Sequence, residues 1–446
     1  MVSVDYISYF KDKKITLMGL GLLGRGIGVS RFLAENGAIL TVTDLKSESE
    51  LAPALLELKD FPNIKYVLGG HKLEDFKEAD LILRAPNVPL GSPFLQEAQK
   101  NNIPVKMDAS LFCELLPSGV ATVGITGTRG KSTVTALIYE ILKTAGREVF
   151  LGGNIRGVAT LPLLKEITSK AVVVLELDSW QLQGFGDDKI SPNIAVFTTF
   201  FNDHMNYYQG DMERYLKDKA GIFLYQKAED TLILGEQVED LIKEKFAGHI
   251  KSNMIVANSD LPADFSLKMV GGHNRYNAAL ALSVARVLDI SDDISKKVIT
   301  SFSGVPGRLE ILGEKNGVLF VNDNNATSPE AVIAGVEAFP DYKGKIVLIG
   351  GGADKELDFT EYGQKVPAFI KSFILFPGSG TEKIKQVLPV GSKVVEVNSM
   401  TEAVKEALTE AISGDMIMLS PGAASFGTFN NEYERNDQFV EQFKNV

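Results

Sequence analysis

Short apolar runs alternate with stretches in which apolar residues recur every three or four positions. Lys14–Met18 (KITLM) reads as a buried strand, a glycine-rich turn spans 19–28, and 27–36 has helical spacing stopped at Gly37. The run 39–43 is a second strand ending at Asp44, and further short strands are expected at 66–68, 81–83 and 103–104. A strand–helix–strand unit of this kind predicts a parallel sheet. A second unit begins near Cys113, with a strand at Ala121–Thr126, the loop GTRGKST and a helix over 132–145. The run 171–177 (AVVVLEL) carries one charge, as a central strand covered on both faces does. Another strand is expected at 194–198, helices at 213–225 and 274–288, and a Gly/Pro linker at 303–308. A third unit follows, with strands at Val318–Asn322, 345–349, 372–376 and Met416–Leu419.

At 446 residues the chain has room for about three domains. Its 45% hydrophobic and 23% charged content excludes a mainly disordered chain. With 46 basic against 57 acidic residues, the net charge of −11 argues against nonspecific nucleic-acid binding, which needs a basic surplus. A single cysteine excludes an intramolecular disulfide and a multi-cysteine metal site. No apolar run nears the length of a membrane span, and the N-terminus lacks the apolar core of a signal peptide. The expectation is a cytoplasmic chain with no membrane insertion.

Candidate chemistry concentrates where strands end. Gly127, Thr128, Gly130, Lys131, Ser132 and Thr133 lie between a strand and a helix, where a phosphate cradle belongs. Glycines let backbone N–H groups converge on phosphate oxygens, and the helix N-terminus adds partial positive charge. Lys131 can reach the phosphates and Ser132 can offer its hydroxyl to Mg²⁺. Glu176, near the end of AVVVLEL, is a carboxylate suited to the same hard cation or to a neighbouring helix. His204, in NDHMNYY, is either a ligand or an ordinary loop histidine. Lys219, among Lys217 and Asp218, reads by itself as part of a solvated helix face. Gly19-x-Gly21-x-x-Gly24 with Asp44 twenty residues beyond matches a dinucleotide fingerprint, and is either a nucleotide-diphosphate site or a tight turn. Asp323, the Gly350–Gly352 run ahead of Asp354 and Lys355, and SPGAASFGTF after the last strand suggest one shared crevice in the third unit.

In order along the chain, GTRGKST, LELDSWQL, NDHMNYY, GGHNRYNAALA, PGRLE, VNDNNAT and LSPGAASFGTF resemble the motifs of the Mur ligases of peptidoglycan synthesis. The likeness covers nearly the whole chain and is strongest to the branch that adds D-glutamate to UDP-N-acetylmuramoyl-L-alanine. It implies an α/β protein of three domains: a Rossmann-like UDP-binding domain (1–112), a central P-loop-type ATPase domain (113–303) and a C-terminal Rossmann-like amino-acid-binding domain (304–446). It also implies ATP and two Mg²⁺ ions, an acyl-phosphate intermediate and a monomer.

By the same resemblance Lys131, His204 and Lys219 are catalytic, and Ser132, Glu176, His204 and a carbamate on Lys219 hold metal. Asn277, Arg308 and Asp323 contact the nucleotide. Leu22, Leu23, Asp44 and Asn154 lie on the UDP-substrate side, and Thr327, Lys355, Ser425 and Phe429 hold the incoming amino acid. Two positions depart from the family pattern. Arg129 stands where the phosphate loop usually has Asn, and Asn325 stands where DSKAT has Lys. The second leaves open another amino acid, such as L-glutamate. A folylpolyglutamate synthase-like ligase and a nicotinamide-dependent dehydrogenase are the other readings, the latter explaining GLGLLG but not GTRGKST.

Overall fold

A computed structural model describes residues 5–22, 24–257 and 261–446. It is an α/β protein with three sheets. The first contains β1 (Lys14–Met18), β2 (Ile39–Asp44), β3 (Lys65–Leu68), β4 (Leu81–Arg84) and β5 (Val105–Lys106), in the order β3-β2-β1-β4-β5. The second contains β6 (Ala121–Thr126), β7 (Val149–Gly153), β8 (Val172–Glu176), β9 (Ile194–Phe197), β10 (Thr231–Gly235) and β11 (Asn253–Ala257), ordered β11-β10-β9-β6-β8-β7. Every pairing in these two sheets is parallel. The third contains β12 (Glu310–Lys315), β13 (Val318–Asn322), β14 (Ile346–Gly351), β15 (Ile370–Phe376), β16 (Val394–Glu396) and β17 (Met416–Leu419), ordered β12-β13-β17-β14-β15-β16. Its edge strand β12 is antiparallel to β13, and the rest is parallel.

The expected strands form, with one shift. The strand placed at 103–104 lies at β5 instead. Pro104 has no N–H to give the ladder, so the strand begins one residue later, although its carbonyl accepts from Ile82 N at 2.9 Å. The expected helix at 213–225 stops at Ala220. Strands β7, β10, β11, β12 and β16 had no counterpart in the sequence reading. Edge strand β11 is mostly exposed and β12 has no buried residue, so they lack the continuous apolar run that marks β8.

The chain packs as two compact units. One comprises Met1–Phe201, Met212–Ser259 and Asn277–Val298, and the other Asn202–Asp211, Asp260–Tyr276 and Ile299–Val446. In the first unit one apolar core runs beneath both sheets: Leu17, Val42 and Leu83 join Val173, Leu175 and Phe197 through Leu111 and Phe112 of the Asp108–Leu115 helix. In the second unit successive strand residues serve opposite faces. Val321, Leu348, Leu375 and Met418 fill one core, while Phe320, Ile349, Ile374 and Leu419 fill the other. Loops at the carboxyl ends of parallel strands therefore gather along one edge of each sheet, where α/β proteins bind ligands.

Candidate active site

The phosphate loop leaves β6 and enters the Lys131–Thr144 helix. Gly127 (φ +141°) and Gly130 (φ +86°) adopt backbone conformations that side chains disfavour. A Cβ on Gly130 would also collide with Asn277 Oδ1, so the expected nucleotide-contacting Asn277 stands against this turn. The loop is braced from the segment that follows β9. Thr128 N donates to Thr199 O at 2.7 Å, and Arg129 N donates to Thr199 Oγ1 at 2.9 Å. Lys131 Nζ folds back to Gly127 O (2.9 Å) and Thr128 O (3.2 Å). Ser132 and Thr133 occupy the first helical turn.

Lys219 overturns the solvated-face reading. Tyr215, Leu216, Lys219 and Ala220 form the inward stripe of the Met212–Ala220 helix, and Lys219 is 1% exposed. Helical spacing carries it to the interior although its neighbours in sequence are polar. Its ammonium donates to Gly127 O at 2.9 Å, lies 3.4 Å from Thr126 Oγ1, and stands 4.9 Å from the centre of the Tyr215 ring. Two lysines, distant in sequence, thus meet on one loop carbonyl. Glu176 is buried at the end of β8, in register with Ile125 of β6 and Gly153 of β7. Its carbonyl accepts from Asn154 N at 2.6 Å, which fixes Asn154 beside it.

The first unit holds a second glycine turn, between β1 and the Arg25–Glu35 helix. Asp44 comes from the end of β2, as the fingerprint requires. Its carboxylate is engaged by the turn itself: Oδ2 accepts from Leu20 N (2.9 Å) and Gly21 N (3.0 Å), and Oδ1 accepts from Lys46 N (2.9 Å). Asp44 therefore shapes the loop. Leu22 at its tip is exposed, and Leu23 lies outside the described residues.

In the second unit, the loops after β13, β14 and β17 converge. Ser420 donates to Asp323 Oδ2 at 2.8 Å, and Ala353 and Ala424 exchange backbone hydrogen bonds at 3.0 Å. Asp323 Oδ1 accepts from Leu309 N at 3.2 Å, tying it to the segment that carries Arg308. Lys355 Nζ donates to Thr327 Oγ1 at 2.9 Å. Ser425 is buried in the same loop as Phe429, whose ring packs on Phe376 with centres 5.0 Å apart. Burial lowers His273 below the usual imidazole value, and the Arg308 cation pushes the same way. His204 belongs to the short segment of this unit. It has φ +56°, and its N–H donates to Asp203 Oδ1 at 2.9 Å. Among the described residues no three His, Cys, Asp or Glu side chains form a metal-binding group.

Three family models match in succession: the MurD-like N-terminal domain of Mur ligases over 13–106, the Mur ligase middle domain over 125–255, and the Mur ligase glutamate ligase domain over 307–422. The chain is 34% identical to the UDP-N-acetylmuramoylalanine–D-glutamate ligase of Roseiflexus sp. (strain RS-1), over 97% of this chain and 99% of that protein. This chain belongs to the Mur ligase family. Solved structures share its fold. The UDP-N-acetylmuramate-alanine ligase MurC of Thermotoga maritima superposes with a TM-score of 0.61 at 19% identity, covering 97% of this chain and 99% of that one. MurF ligase from Thermotoga maritima in complex with ADP gives 0.61 at 18% identity, covering 98% and 96%.

The structure of this Mur ligase family member adds side chains that motif reading passed over. Arg25 sits inside the fingerprint yet reaches Gly153 O and Asn154 Oδ1. Arg435, wholly buried on the C-terminal helix, donates to Asn324 Oδ1, Asn324 O and Ala423 O, and so braces two of the converging loops. Burial lowers its pKa to about 10. Neither arginine belongs to a spacing pattern that signals these partners in the sequence.

Proposed function

We propose that this chain uses ATP to join D-glutamate to UDP-N-acetylmuramoyl-L-alanine in cytoplasmic peptidoglycan precursor synthesis. The observation that carries the reading is the meeting of Lys131 and buried Lys219 on the Gly127 carbonyl of a strand–loop–helix phosphate cradle. Near-full-length identity to a D-glutamate ligase supports the choice of substrates, and the ADP complex of a structural neighbour supports the nucleotide. In this reading residues 1–112 bind the UDP substrate, 113–303 bind ATP, and 304–446 bind the amino acid, in a monomer.

The substrate carboxylate attacks the γ-phosphorus of ATP, giving an acyl phosphate and ADP. The amine of glutamate then attacks the acyl carbon, and the tetrahedral intermediate expels phosphate. Lys131 and the loop N–H groups stabilise charge on the transferring phosphoryl group. Asn277, Arg308 and Asp323 hold the nucleotide, and Thr327, Lys355, Ser425 and Phe429 hold the glutamate. Leu22, Leu23, Asp44 and Asn154 serve the UDP substrate. Ser132, Glu176, His204 and a carbamate on Lys219 would supply the oxygen and nitrogen donors for two Mg²⁺ ions. Such a sparse set suits Mg²⁺, which takes one or two carboxylates and keeps waters and phosphate oxygens. Bound Mg²⁺ neutralises charge between the carboxylate and the phosphates.

Phosphate release with ATP, UDP-N-acetylmuramoyl-L-alanine and a panel of amino acids tests the reading. D-Glutamate should support turnover and L-glutamate should not. Release with another amino acid but none with D-glutamate would refute the substrate while sparing the ligase reaction.

A further inference from the structure

Arg25 is the first residue of the Arg25–Glu35 helix, directly after the left-handed Gly24. One guanidinium nitrogen donates to Gly153 O at 3.1 Å and to Asn154 Oδ1 at 3.2 Å. Asn154 is half-buried at the carboxyl end of β7, and its own N–H is held by the Glu176 carbonyl. Arg25 thereby ties the first glycine turn to the edge of the second sheet that carries the phosphate loop. The backbones also close together there, since a Cβ on Gly24 would touch Gly157 Cα at 3.4 Å.

The chemistry of this contact has one orientation. Arginine has donors only, so the atom of Asn154 that faces it must be the carbonyl oxygen. The amide Nδ2 is then turned away from Arg25, with two protons to donate. We propose that Arg25 is a positioning residue that locks the Asn154 amide with Nδ2 presented to the substrate, so that this position selects a substrate oxygen acceptor and rejects a donor. The proposal rests on the UDP-substrate reading above, and the acceptor is a carbonyl, carboxylate or phosphate oxygen of that substrate.

Asp108 also feels the Arg25 charge. It is buried at the start of the Asp108–Leu115 helix, and its Oδ2 and Arg25 Nε are both buried without a hydrogen-bond partner. Burial raises the Asp108 carboxyl above its usual range, and the Arg25 charge opposes that rise. A neutral donor would hold Asn154 but remove the charge that favours the ionised form of Asp108.

The test is calorimetric binding of UDP-N-acetylmuramoyl-L-alanine to the full chain, alongside ATP binding and thermal melting. Asn154→Asp gives Arg25 an ion-pair partner and keeps the fold, but removes the outward donor. Its melting temperature should hold or rise, while Kd for the UDP substrate rises at least tenfold and Kd for ATP stays within twofold. Arg25→Met should weaken the UDP substrate about tenfold, and Arg25→Lys, which keeps the charge and one donor, should recover most of that loss. If Asn154→Asp binds the UDP substrate as the wild type does, or if Arg25→Met weakens both ligands equally, the proposal is overturned. A wild-type chain that does not bind the UDP substrate at all refutes the functional reading instead.

Discussion

Two glycine turns in the first unit begin alike and end with opposite backbone groups engaged. Each follows a parallel strand, and each enters its helix through a left-handed glycine, Gly24 at φ +90° and Gly130 at φ +86°. In the first turn an acid occupies the amides: Asp44 accepts from Leu20 and Gly21 N–H. In the second, two lysine nitrogens hold a carbonyl, Lys131 and Lys219 on Gly127 O. The same strand–turn–helix geometry thus gives a turn whose amides are taken by a carboxylate in one place and a turn whose carbonyl is taken by lysines in the other. What separates them is the side chain supplied from outside the turn: Asp44 from the neighbouring strand, and Lys219 from a helix some ninety residues away in sequence.

The comparison breaks hardest at Lys131. Lys131→Ala should lower turnover by about 10²–10³-fold, the usual loss for one preorganised charge stabiliser, with thermal stability little changed because the side chain is not part of the core. A variant with near wild-type phosphate release would refute the role of Lys131 in the phosphate cradle. Lys219 comes next. Lys219→Ala should be strongly impaired and partly rescued by formate or acetate standing in for the carbamate. Because Lys219 is buried, truncation also opens a cavity, so Lys219→Met is the companion variant that refills the volume and should fold yet stay inactive. Full activity in both variants would remove Lys219 from the mechanism, and mass spectrometry at neutral pH should find the carbamate.

The first turn should respond more mildly and in a different parameter. Asp44→Asn keeps the shape, and its one oxygen can still accept from Leu20 and Gly21 N–H, but its NH2 then faces the Lys46 N–H, donor against donor; a cost of about 1–2 kcal/mol corresponds to roughly 5–30-fold in KM for the UDP substrate. Turnover at saturation should hold, since the lost contact energy is shared by ground and transition states. A fall in kcat at unchanged KM would show that this turn acts in the chemical step. The smallest expected effect is on pH dependence. His71 is bonded through Nδ1 to Thr43 Oγ1 at 2.7 Å, one residue before Asp44. Burial holds it below its ordinary 6.5, while the Asp44 charge acts against that. A histidine lowered in the folded state contributes its stability above about 6.5 and loses it as pH falls through the folded value. The melting temperature should therefore drop between pH 7 and pH 5, and the slope should flatten in His71→Gln.

Much of this protein was legible from residue order. Lys14–Met18, Ala121–Thr126, Val318–Asn322 and Met416–Leu419 have the bounds that apolar runs and glycine punctuation predict, because a strand buried on both faces must be continuously apolar. The phosphate loop was legible for a similar reason: its conformation is demanded locally, by glycines and a following helix. Edge strands β11 and β12 were not, since exposure releases them from that pattern.

Side-chain partners belong to a different category. Sequence set Asp44 at the fingerprint's distance, but only the folded turn shows its carboxylate closing on Leu20 and Gly21 rather than standing free at the strand end. Lys219 read as solvent-facing from its polar neighbours, and the packing of its helix buried it against Gly127. Arg25 and Arg435 had no motif of their own, and gained roles from what lies across the fold: Asn154, Asp108, Asn324 and Ala423. Strand, turn and helix follow from interactions within a few residues, which the sequence states directly. Where a long charged side chain ends, and whether it meets water or a carbonyl, depends on groups brought together from distant parts of the chain, and only the tertiary structure decides it.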